Sequence, residues 1–400
     1  MIIRARVVVT MDGPPIENGA IAISGDRIVD AGKVSEISQR YSGEEVIDLG
    51  EQALLPGLIN AHCHLDYTCL RGKLPRQKSF ADWVRAINAE KTTLSPDDYV
   101  RSINEGFVEA KRFGTTTIAN LTAFPELVSR IQAPIRTWWF AELIDVRDPT
   151  RAHEVVDLAI EQLQSAERCG LAPHAPFTAS ANLYRRCEEI ARSKEVLLTT
   201  HLAESREEMS MFRDASGPLY QFLKEIGRDM SDCGQQTPLA HFMRQMDSED
   251  PWLITHLNEL EESDFDLLRG SKPNFHVVHC PRSHKHFGHS PFRFERLREF
   301  GINVCLGTDS LASNDDLSLF AEMRAFQNEF PAVSPEEILR MATLNPALAL
   351  GKPHVLGRIG KNYWADLIAI PVTRSTSVFE EIVGFDQPVS WSMIGGQISA

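Results

Sequence analysis

The chain has 400 residues and a formal net charge of −14 at pH 7, because 55 Asp and Glu side chains outnumber 41 Lys and Arg side chains. This acidic balance argues against a nucleic-acid-binding protein, which needs a dominant basic surface to neutralise phosphates. Hydrophobic residues make up 43% of the chain and charged residues 24%, a composition that excludes an intrinsically disordered protein and predicts a large buried core.

The sequence carries no membrane or secretion signal. It contains no run of about 18 apolar residues, and its first residues lack the apolar core of a signal peptide. We therefore expect a cytoplasmic protein that does not associate with membranes. The seven cysteines are an odd number and form no CxxC pair, so we expect reduced thiols rather than a disulfide framework or a zinc ribbon.

Both ends of the chain have a β-rich, turn-rich pattern. Short β-rich runs at Arg6–Thr10, Ala20–Ile23 and Arg27–Val29 are separated by turn residues, which predicts small antiparallel hairpins. The same pattern returns after about residue 355, through Ala365–Pro371. The last 30 residues can therefore complete the N-terminal sheet.

Between the two ends, short apolar runs alternate with amphipathic segments. The segments 97–113, 151–168 and 180–194 have apolar residues three and four positions apart, as amphipathic helices do. Eight strand-helix repeats predict an α/β fold with a parallel (β/α)8 barrel. The candidate strands are Leu54–Ile59, Thr115–Ala119, Ile135–Phe140, Gly170–Pro173, Val196–Thr200, Trp252–Thr255, Phe275–Val278 and Asn303–Leu306.

The segment from 205 to 250 is longer than a simple crossover between strands requires. Gly217, Pro218 and Gly234 interrupt it. We therefore expect an inserted helical lid at about 205–250. Lids of this kind exclude water from a reaction and gate turnover.

Ionisable side chains follow six of the eight apolar runs. In a (β/α)8 barrel, catalytic residues lie where the strands meet their following loops. The residues at these positions are His62, His64, His174, His201, His256, His279 and Asp309.

Four of these residues have the chemistry of a metal site. The spacing of two between His62 and His64 puts both imidazoles on one face of a strand. His201 can be a third ligand and Asp309 a fourth, with the carboxylate of Glu204 within reach of a metal-bound water. Each motif alone has an ordinary interpretation as a loop, a turn or a helix start, but three imidazoles and one carboxylate together predict a hydrolytic zinc site.

The combination of motifs resembles the amidohydrolase superfamily, and within it the cytosine/adenosine/guanine deaminase and chlorohydrolase branch. The resemblance spans essentially the whole chain. It rests on Leu55–His64, Leu70–Gly72, Ala172–Pro176, His201–Ser205 and Leu306–Ser310. It implies a (β/α)8 TIM-like barrel at 54–355 and a small β-sandwich built from residues 1–53 and 356–400.

The resemblance also implies roles for individual residues. His62, His64, His201 and Asp309 are expected to bind one divalent metal ion, with Zn²⁺ as the first expectation and Fe²⁺ as the alternative. Glu204 matches the proton shuttle, and His256 matches the histidine that, with Asp309, orients the attacking hydroxide. No lysine lies near the end of the fourth strand, so a mononuclear site is expected.

Three further residues are predicted to contact substrate. His174 matches a substrate-contacting position of the branch, and Arg71 can meet an anionic or carbonyl group or simply form a loop salt bridge. His279 either touches substrate or is a buried strand histidine. The segment 279–289 departs from the pattern of adenosine-type relatives, and its His284, His286 and His289 are expected at the pocket rim rather than in a second metal site.

The function expected from the resemblance is hydrolytic deamination of a purine-like or related N-heterocycle, as base, nucleoside or modified nucleoside such as aminofutalosine. Metal-bound hydroxide would attack the amino-bearing ring carbon and ammonia would leave. The alternatives are a chlorohydrolase or aminohydrolase acting on s-triazine-like rings, or a catalytically inactive barrel subunit. The expected partner is a small-molecule substrate, with no nucleic acid and no membrane, and a homo-oligomer is left open.

Overall fold

The computed structural model describes residues 1–246, 251–271, 274–373 and 377–399. Five strands form before residue 57. The first strand of the chain is central: it pairs antiparallel with the second strand and parallel with the fourth and the fifth. The five strands are β1 (Ile2–Val8), β2 (Ile16–Ser24), β3 (Arg27–Lys33), β4 (Val46–Asp48) and β5 (Gln52–Pro56).

The next eight strands are all parallel and pair in chain order, which confirms the predicted barrel. Backbone N–H groups of Thr308 and Asp309 donate to His62 O at 3.1 and 3.2 Å, and a parallel bridge joins Cys63 to Asp309, so the last strand returns to the first. The strands are β6 (Leu58–Cys63), β7 (Thr115–Thr122), β8 (Arg136–Leu143), β9 (Cys169–Pro173), β10 (Leu197–Leu202), β11 (Trp252–His256), β12 (Phe275–His279) and β13 (Val304–Leu306).

The C-terminal segment returns to the first sheet, as expected. It supplies β14 (Leu367–Pro371), β15 (Trp391–Ile394) and β16 (Gln397–Ser399). Because β14 pairs antiparallel with β5, the two ends of the chain form one mixed sheet separate from the barrel. Residues 374–376 and 400 of the expected terminal domain lie outside the described residues.

The first candidate strand, Leu54–Ile59, is corrected by the structure. The run divides at Gly57 into β5 of the terminal sheet and β6 of the barrel. A Cβ at Gly57 would collide with the Thr116 side chain, so a glycine is required where the chain passes between the sheets. We therefore propose the domain boundary at Gly57 rather than between residues 53 and 54.

Helices fill the connections between the barrel strands, and serine or threonine caps start many of them. The side chain of Ser95 accepts from Asp98 N and the Asp98 side chain accepts in return, a capping box that fixes one start. Ser180, Ser205 and Thr237 cap three others. Among the described residues, no helix is both long and apolar enough to cross a bilayer.

The helix bounds are as follows. They are α1 (Val34–Arg40), α2 (Phe80–Lys91), α3 (Pro96–Arg112), α4 (Ala152–Gln162), α5 (Ala181–Lys194), α6 (Arg206–Asp214), α7 (Pro218–Glu225), α8 (Pro238–Gln245), α9 (Glu262–Ser271), α10 (Pro281–Phe287), α11 (Phe294–Glu299), α12 (Leu319–Glu329), α13 (Pro335–Arg340), α14 (Leu344–Ala349) and α15 (Val378–Gly384), with 3₁₀ turns at Leu65–Leu70, Pro125–Arg130, Pro149–Arg151 and Leu163–Ser165.

The helices α6, α7 and α8 occupy the segment 205–250, where an inserted helical lid is predicted. Residues 247–250 of that segment lie outside the described residues. Helix α7 packs against α2, which follows the first barrel strand. These two helices therefore lie over the same end of the barrel.

Candidate active site

Three buried histidines meet at the C-terminal end of the barrel. His62 lies in β6, His64 directly follows it, and His201 lies near the end of β10. One ring nitrogen from each lies within 4.8 Å of the others, and His64 Nε2 is 3.2 Å from His201 Nε2. The structure thus brings together the three imidazoles that the sequence predicts as metal ligands.

Asp309 joins this group from the loop after β13. Its Oδ1 lies 3.8 Å from His62 Nε2 and 3.9 Å from His64 Nε2. Ser283 Oγ donates to Asp309 Oδ2 at 2.6 Å. The backbone of Asp309 is left-handed (φ 56°), a strained conformation that the barrel closure holds and that is common at functional sites.

The donor set fits a divalent metal ion. His62 Nε2 is buried and has no hydrogen-bond partner among the described residues, whereas the opposite nitrogen, Nδ1, lies 3.1 Å from Thr255 Oγ1. His201 Nδ1 lies 2.8 Å from the carbonyl oxygen of His174, so Nε2 is the nitrogen that meets the other histidines. Such outer contacts fix the tautomer of a ligating imidazole and direct the remaining nitrogen at the ion.

The electrostatics of the group also suit ligands. Burial lowers the pKa of His62 to about 3, and burial together with His64 lowers the pKa of His201, so both imidazoles are neutral. Burial acts to raise the pKa of Asp309, but the neighbouring histidines, His62 first among them, hold it well below its ordinary value. Neutral imidazoles and an ionised carboxylate are the forms that bind metal.

Glu204 and His256 lie next to this group. Glu204 Oε1 is 3.6 Å from His256 Nε2, and both side chains are buried. Burial, with the negative charges of Asp309 and Glu208, raises the pKa of Glu204 well above its ordinary value. Burial lowers the pKa of His256 well below its ordinary value. These pKa shifts favour a protonated carboxyl beside a neutral imidazole.

The turn that presents Glu204 is held by the buried side chain of Glu208. Ala203 has a left-handed backbone (φ 51°), and its N–H donates to Glu208 Oε1 at 3.1 Å. The N–H of Glu204 donates to Glu208 Oε2 at 2.8 Å, and Asn258 Nδ2 donates to Glu204 O at 3.0 Å. These bonds fix the position of the Glu204 backbone.

A cavity of about 300 Å³ opens above the metal-ligand group, and His64, His201, Glu204, His256 and Asp309 all line it. Opposite them lies an apolar wall formed by two helices. Its residues are Phe80, Trp83, Val84 and Ile87 from α2 and Leu219, Phe222 and Leu223 from α7, with Ile226 directly after α7.

His174 also lines the cavity, as predicted for a substrate contact. Its Nδ1 is 2.6 Å from Thr178 Oγ1, and burial lowers its pKa to about 3. The neutral ring leaves Nε2 available on the other side.

Neither Arg71 nor His279 is among the described residues that line the cavity. The guanidinium of Arg71 is exposed and pairs with Glu109, which is the loop salt bridge weighed above. The His279 ring is fully buried and stacks on Phe292 with centroids 3.8 Å apart, as a strand histidine in the core does.

Glu142 is a cavity residue that the sequence analysis missed. It lies in β8, and its carboxylate oxygens are 3.4 Å from His64 Nδ1 and 4.0 Å from His174 Nε2. Burial lowers the pKa of His64, but this carboxylate outweighs burial and raises it overall. The third strand continues three residues beyond its predicted run, to Leu143, and following the sequence past Phe140 would have found Glu142.

The loop after β12 places its histidines in different surroundings. His284 Nδ1 contacts Asn258 Oδ1 at 3.0 Å and is buried, whereas His286 and His289 line a second pocket beside the cavity. Among the described residues, the candidate metal-binding group found is the one at His62, His64 and His201.

Comparison with known proteins gives an independent view of this site. The model of the amidohydrolase family matches residues 53–398. The chain is 30% identical to the 5-methylthioadenosine/S-adenosylhomocysteine deaminase of Syntrophobacter fumaroxidans over 377 residues, which cover 90% of this chain and 81% of that protein.

Two solved structures share the fold across nearly the full chain. Helicobacter pylori aminofutalosine deaminase in complex with methylthio-coformycin superposes with a TM-score of 0.88 at 21% identity, covering 100% of both chains. A zinc-bound adenosine deaminase from Xanthomonas campestris superposes with a TM-score of 0.83 at 24% identity, covering 99% of this chain and 92% of the other.

Proposed function

This chain belongs to the amidohydrolase family, and from that premise we propose that it is a metal-dependent deaminase of a purine nucleoside or a related nitrogen heterocycle. The observation that carries the proposal is the meeting of three imidazoles, the Asp309 carboxylate and the Glu204 carboxyl at one cavity. A site of this composition activates water and delivers a proton to a leaving group.

His62, His64, His201 and Asp309 would hold one divalent ion, and zinc is the ion we propose. Imidazole and carboxylate ligands suit zinc, and a structural relative has zinc bound. A bound divalent ion supplies Lewis acidity that makes a water molecule ionisable near neutral pH.

Glu204 would move the proton. Its carboxyl lies at the cavity wall, and its raised pKa lets it hold a proton at neutral pH and give it to a ring nitrogen of the substrate. Protonation of that nitrogen makes the neighbouring amino-bearing carbon electrophilic. The carboxylate that results takes a proton from the attacking water and passes it to the amino group. The amino group then leaves as ammonia, and the new hydroxyl gives its proton back to Glu204, which returns to its starting form.

His256 and Asp309 would orient the attacking water, since both line the cavity next to Glu204. His174 would contact the heterocycle next to His201, since the centroids of the two imidazole rings lie 4.9 Å apart. The apolar wall of α2 and α7 excludes bulk water, which strengthens each of these interactions.

The cavity favours a substrate of nucleoside size with an apolar substituent. Ligand pockets commonly enclose about 300–1,000 Å³, and this one has about 300 Å³ and an apolar wall formed by α2 and α7. The relatives named above are deaminases of 5-methylthioadenosine and S-adenosylhomocysteine, of aminofutalosine and of adenosine. We propose an adenosine-type nucleoside modified at its 5′ position.

The test is ammonia release from a panel of aminopurine bases, adenosine, 5′-methylthioadenosine and an aminofutalosine analogue, with a chelator-treated control. The expected result is metal-dependent release that is fastest for the 5′-modified nucleosides. A chloro-s-triazine belongs in the same panel. Chloride release from it, with no ammonia from any purine, would contradict the proposal and identify a chlorohydrolase.

A further inference from the structure

A second pocket lies beside the catalytic cavity and shares part of its wall. It has a volume of about 180 Å³ and is open to solvent. Phe80 and Trp83 line both pockets, and Phe287 lines the second. The Trp83 ring stacks on Phe80 with centroids 5.9 Å apart and meets Phe287 edge-on at 5.0 Å. The three rings thus form a partition between the two spaces.

Cationic and imidazole side chains from three parts of the chain line this second pocket. Arg76 and Lys78 precede α2, Arg206 begins α6, and His286 and His289 lie at the end of α10 and just after it. The chain as a whole has a net charge of −14. Three cations around one pocket make the local charge positive, opposite in sign to that of the whole chain, so the pocket attracts anions.

Two of these cations have no anionic partner. Within the described part of the chain, Arg76 and Lys78 form no hydrogen bond and no ion pair, although Arg85 on the following helix pairs with Glu225 at 3.3 Å. Arg76 Nη2 lies 3.8 Å from where a Cβ on Gly288 would be, so it is next to the end of α10. Arg206 is anchored there too, because its Nε donates to Ser290 Oγ at 3.1 Å.

The single carboxylate among the described lining residues, that of Glu207, already has partners. Its Oε1 accepts from the backbone N–H of Phe80 at 2.7 Å, and its Oε2 accepts from that of Ala81 at 3.1 Å. Glu207 therefore neutralises the N-terminus of α2. The charges of Arg76 and Lys78 remain available to a ligand.

The two histidines can add neutral donors. Burial, with His284 and Arg206 nearby, lowers the pKa of His289 to about 3, and burial with Arg76 lowers that of His286. A neutral imidazole still has one N–H group to donate. The pocket thus combines permanent charge with directional donors, as anion sites do.

We propose that this second pocket binds a small oxyanion of the phosphate or carboxylate class. The site is distinct from the metal ligands and from Glu204, and it does not depend on the reaction proposed above. The anion can be a charged arm of a substrate that extends past the Phe80–Trp83–Phe287 partition, or a separate small molecule. Both sources have the same chemistry at Arg76 and Lys78.

The test is calorimetric titration of inorganic phosphate into the purified protein and into the double variant Arg76→Gln/Lys78→Gln. The expected result is one saturable site whose affinity falls about tenfold or more in the double variant, because two charge-assisted contacts are lost. The matched control is Arg293→Gln/Lys361→Gln, which removes an exposed arginine and lysine that form no ion pair within the described residues. Its affinity should equal that of the unmodified protein.

Absence of saturable phosphate binding, or an equal loss of phosphate affinity in the control variant, would overturn the proposal.

A competition assay then distinguishes the sources of the anion. Displacement of S-adenosylhomocysteine but not of 5′-methylthioadenosine by phosphate would assign the pocket to a charged substrate arm, and displacement of neither would assign it to a separate ligand. Displacement of both would place phosphate in the catalytic cavity and contradict a distinct site. These measurements report binding alone, so they do not depend on deaminase activity.

Discussion

Glu204 shows how a single catalytic side chain is specified by its surroundings. The sequence motif His201–Ser205 predicted its role, but its protonated state comes from burial and from the charges of Asp309 and Glu208. The left-handed Ala203 backbone and the two Glu208 hydrogen bonds fix its position. Asp309 lies far along the chain from Glu204, so the local sequence pattern does not encode its effect on the Glu204 pKa.

Replacement of Glu204 by Gln should lower kcat about 10²–10⁴-fold, because proton transfer to the substrate is lost while the ring environment is kept. The metal content should not change, since Glu204 is not among the expected ligands. Steady-state kinetics and elemental analysis of the same preparation check both statements. A Glu204→Gln enzyme with normal metal and near-full activity would rule out this residue as the proton shuttle.

Glu142 is expected to position His64. Its carboxylate lies 3.4 Å from His64 Nδ1, on the side of the ring away from the candidate ion. Loss of such a partner typically lowers metal affinity about 10–100-fold. We expect this loss for Glu142→Gln in a chelator competition, and partial recovery for Glu142→Asp. Unchanged affinity in Glu142→Gln would show that the carboxylate serves the substrate instead.

At the scale of elements, the sequence predicted seven of the eight barrel strands and three of the helices closely, because each strand is a short apolar run and each helix has an amphipathic period. It could not divide the run Leu54–Ile59 between two sheets. Both halves are apolar and buried, and the division depends on the close approach of Thr116 to Gly57, which lies 59 positions earlier in the chain. Contacts of this range leave no periodic signal.

The inserted helices have an acid-sensitive contact in α8. His241 is buried, stacks on Phe212 with centroids 4.6 Å apart and contacts Gln236 and Gln245. Burial lowers its pKa from 6.5 to about 4 despite Asp232 nearby. The unfolded chain therefore binds more protons than the folded one between these values, so stability falls as the pH drops through this window.

We expect His241→Gln to lose less stability than the unmodified protein between pH 6.5 and 4. The two losses in the free energy of unfolding should differ by up to about 3 kcal/mol, at about 1.4 kcal/mol for each unit of pKa change. Thermal or urea unfolding across this range measures it, with His153→Gln as an exposed-histidine control. Parallel stability curves for His241→Gln and the unmodified protein would exclude His241 as the source.

At the scale of the whole molecule, a buried ion pair joins the terminal sheet to the barrel. The Arg136 guanidinium, on β8, pairs with Asp366 just before β14 and lies 4.0 Å above the Trp364 ring. Asp366 Oδ1 also accepts from Gly395 N at 2.7 Å. The sequence predicted that both chain ends share one sheet, but no motif indicates this pairing across 230 positions.

Arg136→Met should destabilise the protein by about 3–5 kcal/mol, because it leaves the Asp366 carboxylate buried without a cation. The double variant Arg136→Met/Asp366→Asn should recover part of this loss. Arg151→Met, which breaks an exposed pair with Glu154, should cost at most about 1 kcal/mol. Denaturant unfolding compares the three, and an Arg136→Met effect as small as that of Arg151→Met would contradict a structural role for the pair.

The central claim is that His62, His64, His201 and Asp309 hold one metal ion on which deamination depends. The most direct measurement is ammonia release from 5′-methylthioadenosine during stepwise addition of zinc to chelator-treated protein. The account predicts that activity rises in proportion to bound zinc and levels off at one ion per chain. Full activity in protein shown to be free of metal would contradict it.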